Sequence, residues 1–181
     1  MRRYLWAVIV VASFSTTALA AAPDLPDSSR TPGALNPDVT QANIKSNICK
    51  ANWTQSIRFG ETDLKVKQLE DWGYEDKDPS LYEEDHLISL QLGGAIDDPT
   101  NLWPEHYESG APPYEGQWGA HVKDGLENEL KRRICSAPSN PDHITLEEGR
   151  NAIAHDWKAA YANYVCTRKP KLTAIMAAHC P

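Results

Sequence analysis

The sequence predicts an α+β protein that is mostly helical, with a small hairpin-plus-helix core, flanking helices and two disulfides. Two short apolar segments on either side of Gly93 and Gly94 indicate the hairpin, because glycine adopts positive φ in a turn without steric cost. Apolar residues recur at helical spacing in residues 119–134 and 146–165, which indicates two long helices. The chain has 4 cysteines, and an even number favours disulfide pairing.

Residues 1–20 have the pattern of a secretory signal peptide. Two arginines precede an apolar run that begins at Leu5, and small residues lead up to Ala20. A membrane anchor is the alternative, but the run from Leu5 to Leu19 is shorter than the roughly 20 apolar residues that span a bilayer. We therefore expect cleavage after Ala20, export to the periplasm or the medium, and no stable membrane association afterwards.

The remaining chain is expected to form one domain. Residues 21–36 contain several prolines and few large apolar groups, which predicts a flexible N-terminal arm. Residues 37–181 are numerous enough for a single domain with its own core. Within that domain, a short helix is predicted over 38–48 and a second helix over 64–72, before Gly73.

The cysteines lie at positions 49, 135, 166 and 180. In an exported chain oxidation is permitted, so pairing is the expected state. Three pairings are possible. We favour Cys49 with Cys135 and Cys166 with Cys180, since the second pair closes a short loop and fixes the C-terminal tail.

The hairpin carries the polar residues of most interest. A first strand is predicted over 82–92, ending at the two glycines, and Asn101 opens a shorter second strand. An irregular insertion rich in proline and glycine is predicted over 104–118. Asp85 and His86 therefore lie in the first strand, and Asn101 lies at the start of the second.

The helix over 119–134 is predicted to have one polar face. At about 100° per residue, with His121 at zero, Asp124 falls at about 300° and Asn128 at about 340°. The apolar residues fall between about 100° and 220°, on the other side of the helix. They are Val122, Leu126, Leu130 and Ile134. The helix can thus pack on a core and present the three polar side chains together, although a plain solvated face is the alternative.

These residue types suit the hydrolysis of a phosphodiester, which needs a base to activate water and a cation to stabilise charge. His86 is the candidate base, because histidine titrates nearest to neutral pH. Asp85 offers a hard oxygen ligand to a divalent ion. The amide of Asn101 can bond the backbone of the neighbouring segment and hold the loop that carries His86.

Asp85, His86 and Asn101, followed by a helix, resemble the signature of the HNH, or His-metal finger, endonucleases. The resemblance covers about residues 82–134. It implies a ββα-metal core in which His86 activates water, Asn101 is structural, and Asp85 and a helical residue hold one divalent ion. The implied ion is Mg or Mn, with Zn or Ni as alternatives. The implied partner is a nucleic acid, either DNA or RNA.

The identity of the helical metal ligand stays open. The usual spacing after the middle Asn would reach Gly110, so the match requires an insertion before the helix. His121 completes the literal HNH pattern, and Asp124 or Asn128 could serve as well. His106 is a further candidate, closer in sequence but in a predicted loop flanked by proline and glycine.

A wider pattern resembles uncharacterised exported bacterial proteins with an HNH-like core. It begins at residues 31–33, includes Cys49 and Trp53, and continues after the hairpin through residues 123–128 to Cys135. This resemblance implies no substrate.

The charge balance is unusual for a nuclease. The net charge is −7, and loss of residues 1–20 removes two of the 18 basic and none of the 25 acidic residues, which gives −9. Nucleic-acid binding usually draws on a basic surface. Basic residues cluster only locally, at 131–133 and 168–171. A second hypothesis is therefore a disulfide-stabilised secreted binding module on a catalytically inactive HNH-like core.

Overall fold

The computed structural model describes residues 24–58, 62–107, 118–171 and 177–180. The predicted signal peptide and most of the predicted insertion, residues 108–117, lie outside them. The described chain is an α+β protein with a two-stranded antiparallel sheet, so the coarse fold class is confirmed. Within these residues, no helix is both long and apolar enough to cross a membrane.

The longer elements follow in sequence order: α1 (Thr62–Asp71), β1 (Tyr82–His86), β2 (Leu102–His106), α2 (Ala120–Ile134) and α3 (Leu146–Tyr164). Helices α2 and α3 have the bounds predicted from apolar periodicity to within one residue. Helix α3 begins with a capping box, in which the Thr145 hydroxyl accepts from the Glu148 amide and the Glu148 carboxylate accepts from the Thr145 amide. The short helix predicted over 38–48 is a 3-10 helix, Gln41–Ser46.

Strand β1 ends at His86 rather than at Leu92. After His86 the chain leaves the sheet and forms a 3-10 turn, Leu90–Leu92, which begins where the Ser89 hydroxyl accepts from the Gln91 amide. The turn ends at Gly93, whose φ of 73° is in the left-handed region. Strand β2 pairs with β1 so that Tyr82 lies opposite His106 and Asp85 lies opposite Trp103.

The hairpin lies between two helices. Side chains alternate between the faces of a strand, so Tyr82 and Asp85, three positions apart, point to opposite sides. The Tyr82 side packs with Leu69 of α1 in a small apolar cluster. The Asp85 side meets α2, and α2 packs on α3 in the main core. The four apolar residues predicted to face the core from α2 are all buried: Val122, Leu126, Leu130 and Ile134.

Residues 24–36, which belong to the predicted N-terminal arm, lie against the hairpin loop and α3. The Gly33 amide donates to the Thr100 carbonyl at 2.9 Å, and the Asn36 amide donates to the Gly93 carbonyl at 3.0 Å. The indole of Trp157 donates to the Asp24 carbonyl at 3.0 Å. Hydrogen bonds to its backbone and the packing of Leu25 on the main core therefore attach this segment to the domain.

Both favoured disulfides are present. Cys49 pairs with Cys135, with Cα atoms 5.5 Å apart, and Cys166 pairs with Cys180. The first links the residue after α2 to the N-terminal part of the domain across 86 positions. The far end of α2 is thus covalently held, while its first half lies against the hairpin.

Candidate functional site at the end of the first strand

His86 lies half-buried at the end of β1, with its ring held by one hydrogen bond. Its Nε2 lies 2.8 Å from the carbonyl oxygen of Ile96. A carbonyl can only accept, so Nε2 carries the proton and Nδ1 keeps the lone pair in the neutral ring. Among the described residues, Nδ1 has no hydrogen-bond partner. The tautomer therefore leaves Nδ1 able to accept a proton.

The surroundings favour this neutral form. Burial lowers the pKa of His86 below its usual value, and the hydrogen bond to Ile96 and the charge of Asp85 offset this effect only in part. At neutral pH the ring is then uncharged. It has the protonation state required of a general base.

Asn101 holds the segment that follows His86. It is fully buried. Its Oδ1 accepts from the Ile88 amide at 2.9 Å, and its Nδ2 donates to the carbonyls of Ile88 and Ala95, both at 3.0 Å. The backbone carbonyl of Asn101 accepts from the Leu87 amide at 2.8 Å. One residue thus ties together the start and end of the loop.

The loop closes so tightly that Gly94 has no room for a side chain. A Cβ at this position would lie 1.7 Å from the Ile88 carbonyl oxygen and 2.7 Å from Asn101 Nδ2. Gly93 and Gly94 were both predicted to provide conformational freedom. Only Gly93 has positive φ, whereas Gly94 is required by the close approach of the backbone.

Asp85 points toward α2 and forms an ion pair with Lys123. The distance from Lys123 Nζ to Asp85 Oδ2 is 2.6 Å, and the Lys123 side chain is 0% exposed. The same ammonium donates to Glu127 Oε1 at 2.7 Å and to the His86 carbonyl at 2.8 Å. The other oxygen of Glu127 accepts from the Ser89 hydroxyl at 2.5 Å. We call Asp85, Lys123 and Glu127 the lysine cluster.

Lys123 and Asp85 stabilise each other's charged forms within the lysine cluster. Burial by itself lowers the pKa of Lys123, but Asp85, Glu127 and Glu105 raise it above its usual value. Burial raises the pKa of Asp85, but Lys123 and a hydrogen bond from Glu105 bring it below its usual value. The cluster therefore holds a protonated lysine and an ionised aspartate.

Glu105 lies beside Asp85 and is 1% exposed. Burial and then the charge of Asp85 raise its pKa well above the usual value. No donor among the described residues is directed at its carboxyl oxygens. A proton carried by Glu105 and donated to Asp85 satisfies the pair.

The three polar residues predicted on α2 are all exposed, unlike the lysine cluster. His121 stacks on Tyr107, with ring centroids 5.2 Å apart. Asp124 lies closer to the cluster: burial, and then the charges of Glu127 and Asp85, raise its pKa to about 6. Asn128 makes no side-chain hydrogen bond to the site within the described chain. The predicted polar face is therefore present on α2. Of its three residues, Asp124 is the one that interacts with the charge of Asp85.

His106 lies on the opposite side of the sheet from Asp85. It pairs with Tyr82 in the strand register, and their rings meet edge to face with centroids 5.1 Å apart. This places His106 beside α1 rather than α2. It is therefore not near the Asp85 carboxylate.

A divalent ion at Asp85 would require several oxygen or imidazole ligands to converge there. The described residues contain no group of three His, Cys, Asp or Glu side chains arranged to hold a metal ion. The Oδ2 atom of Asp85 is instead bound by the Lys123 ammonium. As placed, these residues do not fit a divalent ion held by Asp85 and a side chain of α2.

Comparisons with protein-family models, with curated proteins and with solved structures find no match for this chain. No relative therefore indicates which of these residues act on a substrate. The HNH resemblance remains a prediction that rests on Asp85, His86 and Asn101.

Lys123 and Glu127 fall within the wider resemblance over residues 123–128, but the sequence predicted no role at the site for either of them. On the helical projection Lys123 falls at about 200°, within the apolar sector, and Glu127 falls at about 240°, at the edge of that sector. A lysine and a glutamate four positions apart within an apolar stripe form a buried pair or a mismatch. The sequence therefore contained a signal for this buried pair. The signal did not identify the further charged residue, on another element, with which the pair interacts.

The two basic segments converge on a buried acid. Arg132 Nη2 and Arg133 Nε each lie 2.7 Å from Glu129 Oε1, and Arg168 bonds the other oxygen of Glu129. The Glu129 side chain is 1% exposed. Three arginines thus share one buried carboxylate, so the fold neutralises only part of the positive charge of the two segments.

Proposed function

We propose that this chain is an exported phosphodiester hydrolase of HNH type that acts on nucleic acid, with His86 as its general base. The observation that carries the proposal is the ring of His86. Its Nε2 is fixed on the Ile96 carbonyl, and its Nδ1 retains a lone pair at neutral pH. The buried amide of Asn101 supports the loop that keeps this geometry.

In the proposed reaction, Nδ1 of His86 accepts a proton from water as the water oxygen attacks phosphorus. The bond from phosphorus to the leaving oxygen breaks, and that oxygen takes a proton from solvent. The divalent ion inferred from the HNH pattern, Mg or Mn first and Zn or Ni next, stays a prediction. The proton transfer to His86 described above does not depend on this ion.

The test is cleavage by the purified, oxidised chain. Plasmid DNA, single-stranded DNA and RNA are each incubated with Mg, Mn, Zn or Ni and with a chelator. His86→Ala is expected to lower the cleavage rate by about 10²-fold or more. The matched control, His155→Ala, changes an exposed histidine on α3 and is expected to cleave like the parent.

The proposal fails if no substrate is cleaved under any of these conditions. It also fails if His86→Ala cleaves as fast as the parent, because the base would then be another group.

A secreted binding module on a catalytically inactive HNH-like core is the second candidate. The ion pair between Asp85 and Lys123 favours it, because a carboxylate expected to hold a metal has a structural partner. A folded, oxidised chain with a cooperative unfolding transition and no hydrolytic activity would support this alternative.

A further inference from the structure

We propose that the Lys123 ammonium is the resident cation of this site, filling the place at Asp85 where the HNH pattern puts a divalent metal. The inference concerns the same site as the proposed hydrolase. Its test measures cation binding rather than cleavage, so the two proposals can fail separately.

The first support is the number of bonds that Lys123 makes. An ammonium group has three N–H donors. All three have acceptors at hydrogen-bond distance: Asp85 Oδ2 at 2.6 Å, Glu127 Oε1 at 2.7 Å and the His86 carbonyl at 2.8 Å. The ammonium is thus surrounded by oxygen atoms, as a hard metal ion would be.

The second support is the position of the acceptors. Asp85 and His86 belong to the end of β1, and Glu127 belongs to α2, one turn after Lys123. The lysine cluster therefore joins the strand to the helix in the way that a shared metal ion would. Through the His86 carbonyl it also holds the backbone of the proposed base, so Lys123 is a positioning residue.

The third support is burial and charge. Lys123 is 0% exposed, and Glu127 is 5% exposed. A divalent ion bound to Asp85 would lie beside this buried ammonium, and two like charges repel strongly where water is excluded. A metal ion and the Lys123 ammonium are therefore alternative occupants of the same place.

Removing the ammonium should convert the cluster into a metal site. In Lys123→Ala the carboxylates of Asp85 and Glu127 lose their cation, and the backbone carbonyl of His86 loses its donor. Hard oxygen ligands around an empty volume are the arrangement that divalent ions prefer. The ammonium thus determines whether the cluster can accept a metal.

The experiment titrates Mn²⁺ into the full oxidised chain and detects bound ion by electron paramagnetic resonance. The parent is expected to have no Mn²⁺ site with a Kd below about 1 mM. Lys123→Ala is expected to bind Mn²⁺ at least about tenfold more tightly than the parent. Addition of Asp85→Asn to Lys123→Ala should abolish the gain. Lys131→Ala, a half-buried lysine on the same helix, should bind Mn²⁺ no better than the parent.

The parent alone keeps the inference falsifiable if Lys123→Ala does not fold. The inference would be overturned if the parent bound Mn²⁺ with a Kd below about 100 µM and Asp85→Asn abolished this binding. The metal would then displace the lysine. Folded Lys123→Ala without any gain in Mn²⁺ affinity would overturn it as well. If the chain is also the proposed hydrolase, the inference predicts that cleavage persists when a chelator is added.

Discussion

Asn101 forms two hydrogen bonds to the backbone of a single residue, Ile88, through its side-chain amide: Oδ1 accepts from the amide at 2.9 Å and Nδ2 donates to the carbonyl at 3.0 Å. A side chain here replaces the partner strand that Ile88 would otherwise need. This explains why the sheet ends at His86 although apolar residues continue to Leu92. It also locates the part of the site most sensitive to substitution.

Asn101→Ala should destabilise the fold by about 3 kcal/mol, because it leaves buried backbone groups of Ile88 and Ala95 unsatisfied. Denaturant unfolding followed by circular dichroism measures the change. Asn151→Ala, at an exposed position on α3, should alter stability by less than about 0.5 kcal/mol. Equal effects of the two substitutions would show that the Asn101 contacts contribute little.

Gly94→Ala should destabilise the fold by at least about 3 kcal/mol, since the new Cβ would lie 1.7 Å from the Ile88 carbonyl oxygen. Gly73→Ala is the matched control. Its φ of 73° is strained for alanine, but no atom lies within 4 Å of the added Cβ, so a cost of about 1 kcal/mol is expected. Comparison of the melting temperatures of the two variants separates the steric cost from the backbone cost. A similar loss of stability in Gly94→Ala and Gly73→Ala would contradict the loop geometry.

The proposed cleavage should slow on the acid side of neutrality. His86 must be neutral to accept a proton, and burial lowers its pKa below the usual 6.5. The rate should therefore be constant near neutral pH and fall only as pH drops through the lowered pKa. Rates measured on one substrate across this range give the apparent value. A midpoint above 6.5 would indicate a different base or a charged His86.

Glu83→Gln should stabilise the protein at alkaline pH. Burial, and then the charges of Asp85 and Asp124, raise the pKa of Glu83 from 4.5 to about 7. The native state therefore binds this proton more tightly than the unfolded state, and the parent loses stability as pH rises through that interval. Gln carries no charge, so the gain should be on the order of 1 kcal/mol near pH 8 and vanish near pH 4.

Thermal unfolding of Glu83→Gln and the parent at both pH values tests this dependence. Glu70→Gln, an exposed glutamate on α1, is the control and should show no such difference. A gain for Glu83→Gln that is the same at both pH values would point to packing rather than to charge.

The elements that the sequence predicted well are those whose signal is local. Apolar spacing defined α2 and α3, since the period of the buried residues depends only on the helix itself. The even number of cysteines and the short loop between Cys166 and Cys180 pointed to the disulfides that are present. The two glycines marked a turn, but this turn lies within the loop between His86 and Leu102 and does not end the strand.

The parts that the sequence did not predict depend on distant partners. The apolar run to Leu92 indicated a longer strand, because nothing near it shows that Asn101 takes over the hydrogen bonds of Ile88. No role at the site was predicted for Lys123, because its partner Asp85 lies 38 positions earlier in the sequence. The contacts of residues 24–36 with the hairpin loop include backbone hydrogen bonds, which composition does not reveal.

The lysine cluster has a consequence for how the protein unfolds. Partial separation of β1 from α2 would leave a lysine and two carboxylates unpaired in a dry interior, an intermediate of high free energy. Strand and helix are therefore expected to open together, as one cooperative unit that exchanges its amide hydrogens at a common rate. A chain whose hairpin has two strands thus gains all-or-none behaviour from a buried lysine and its two carboxylates.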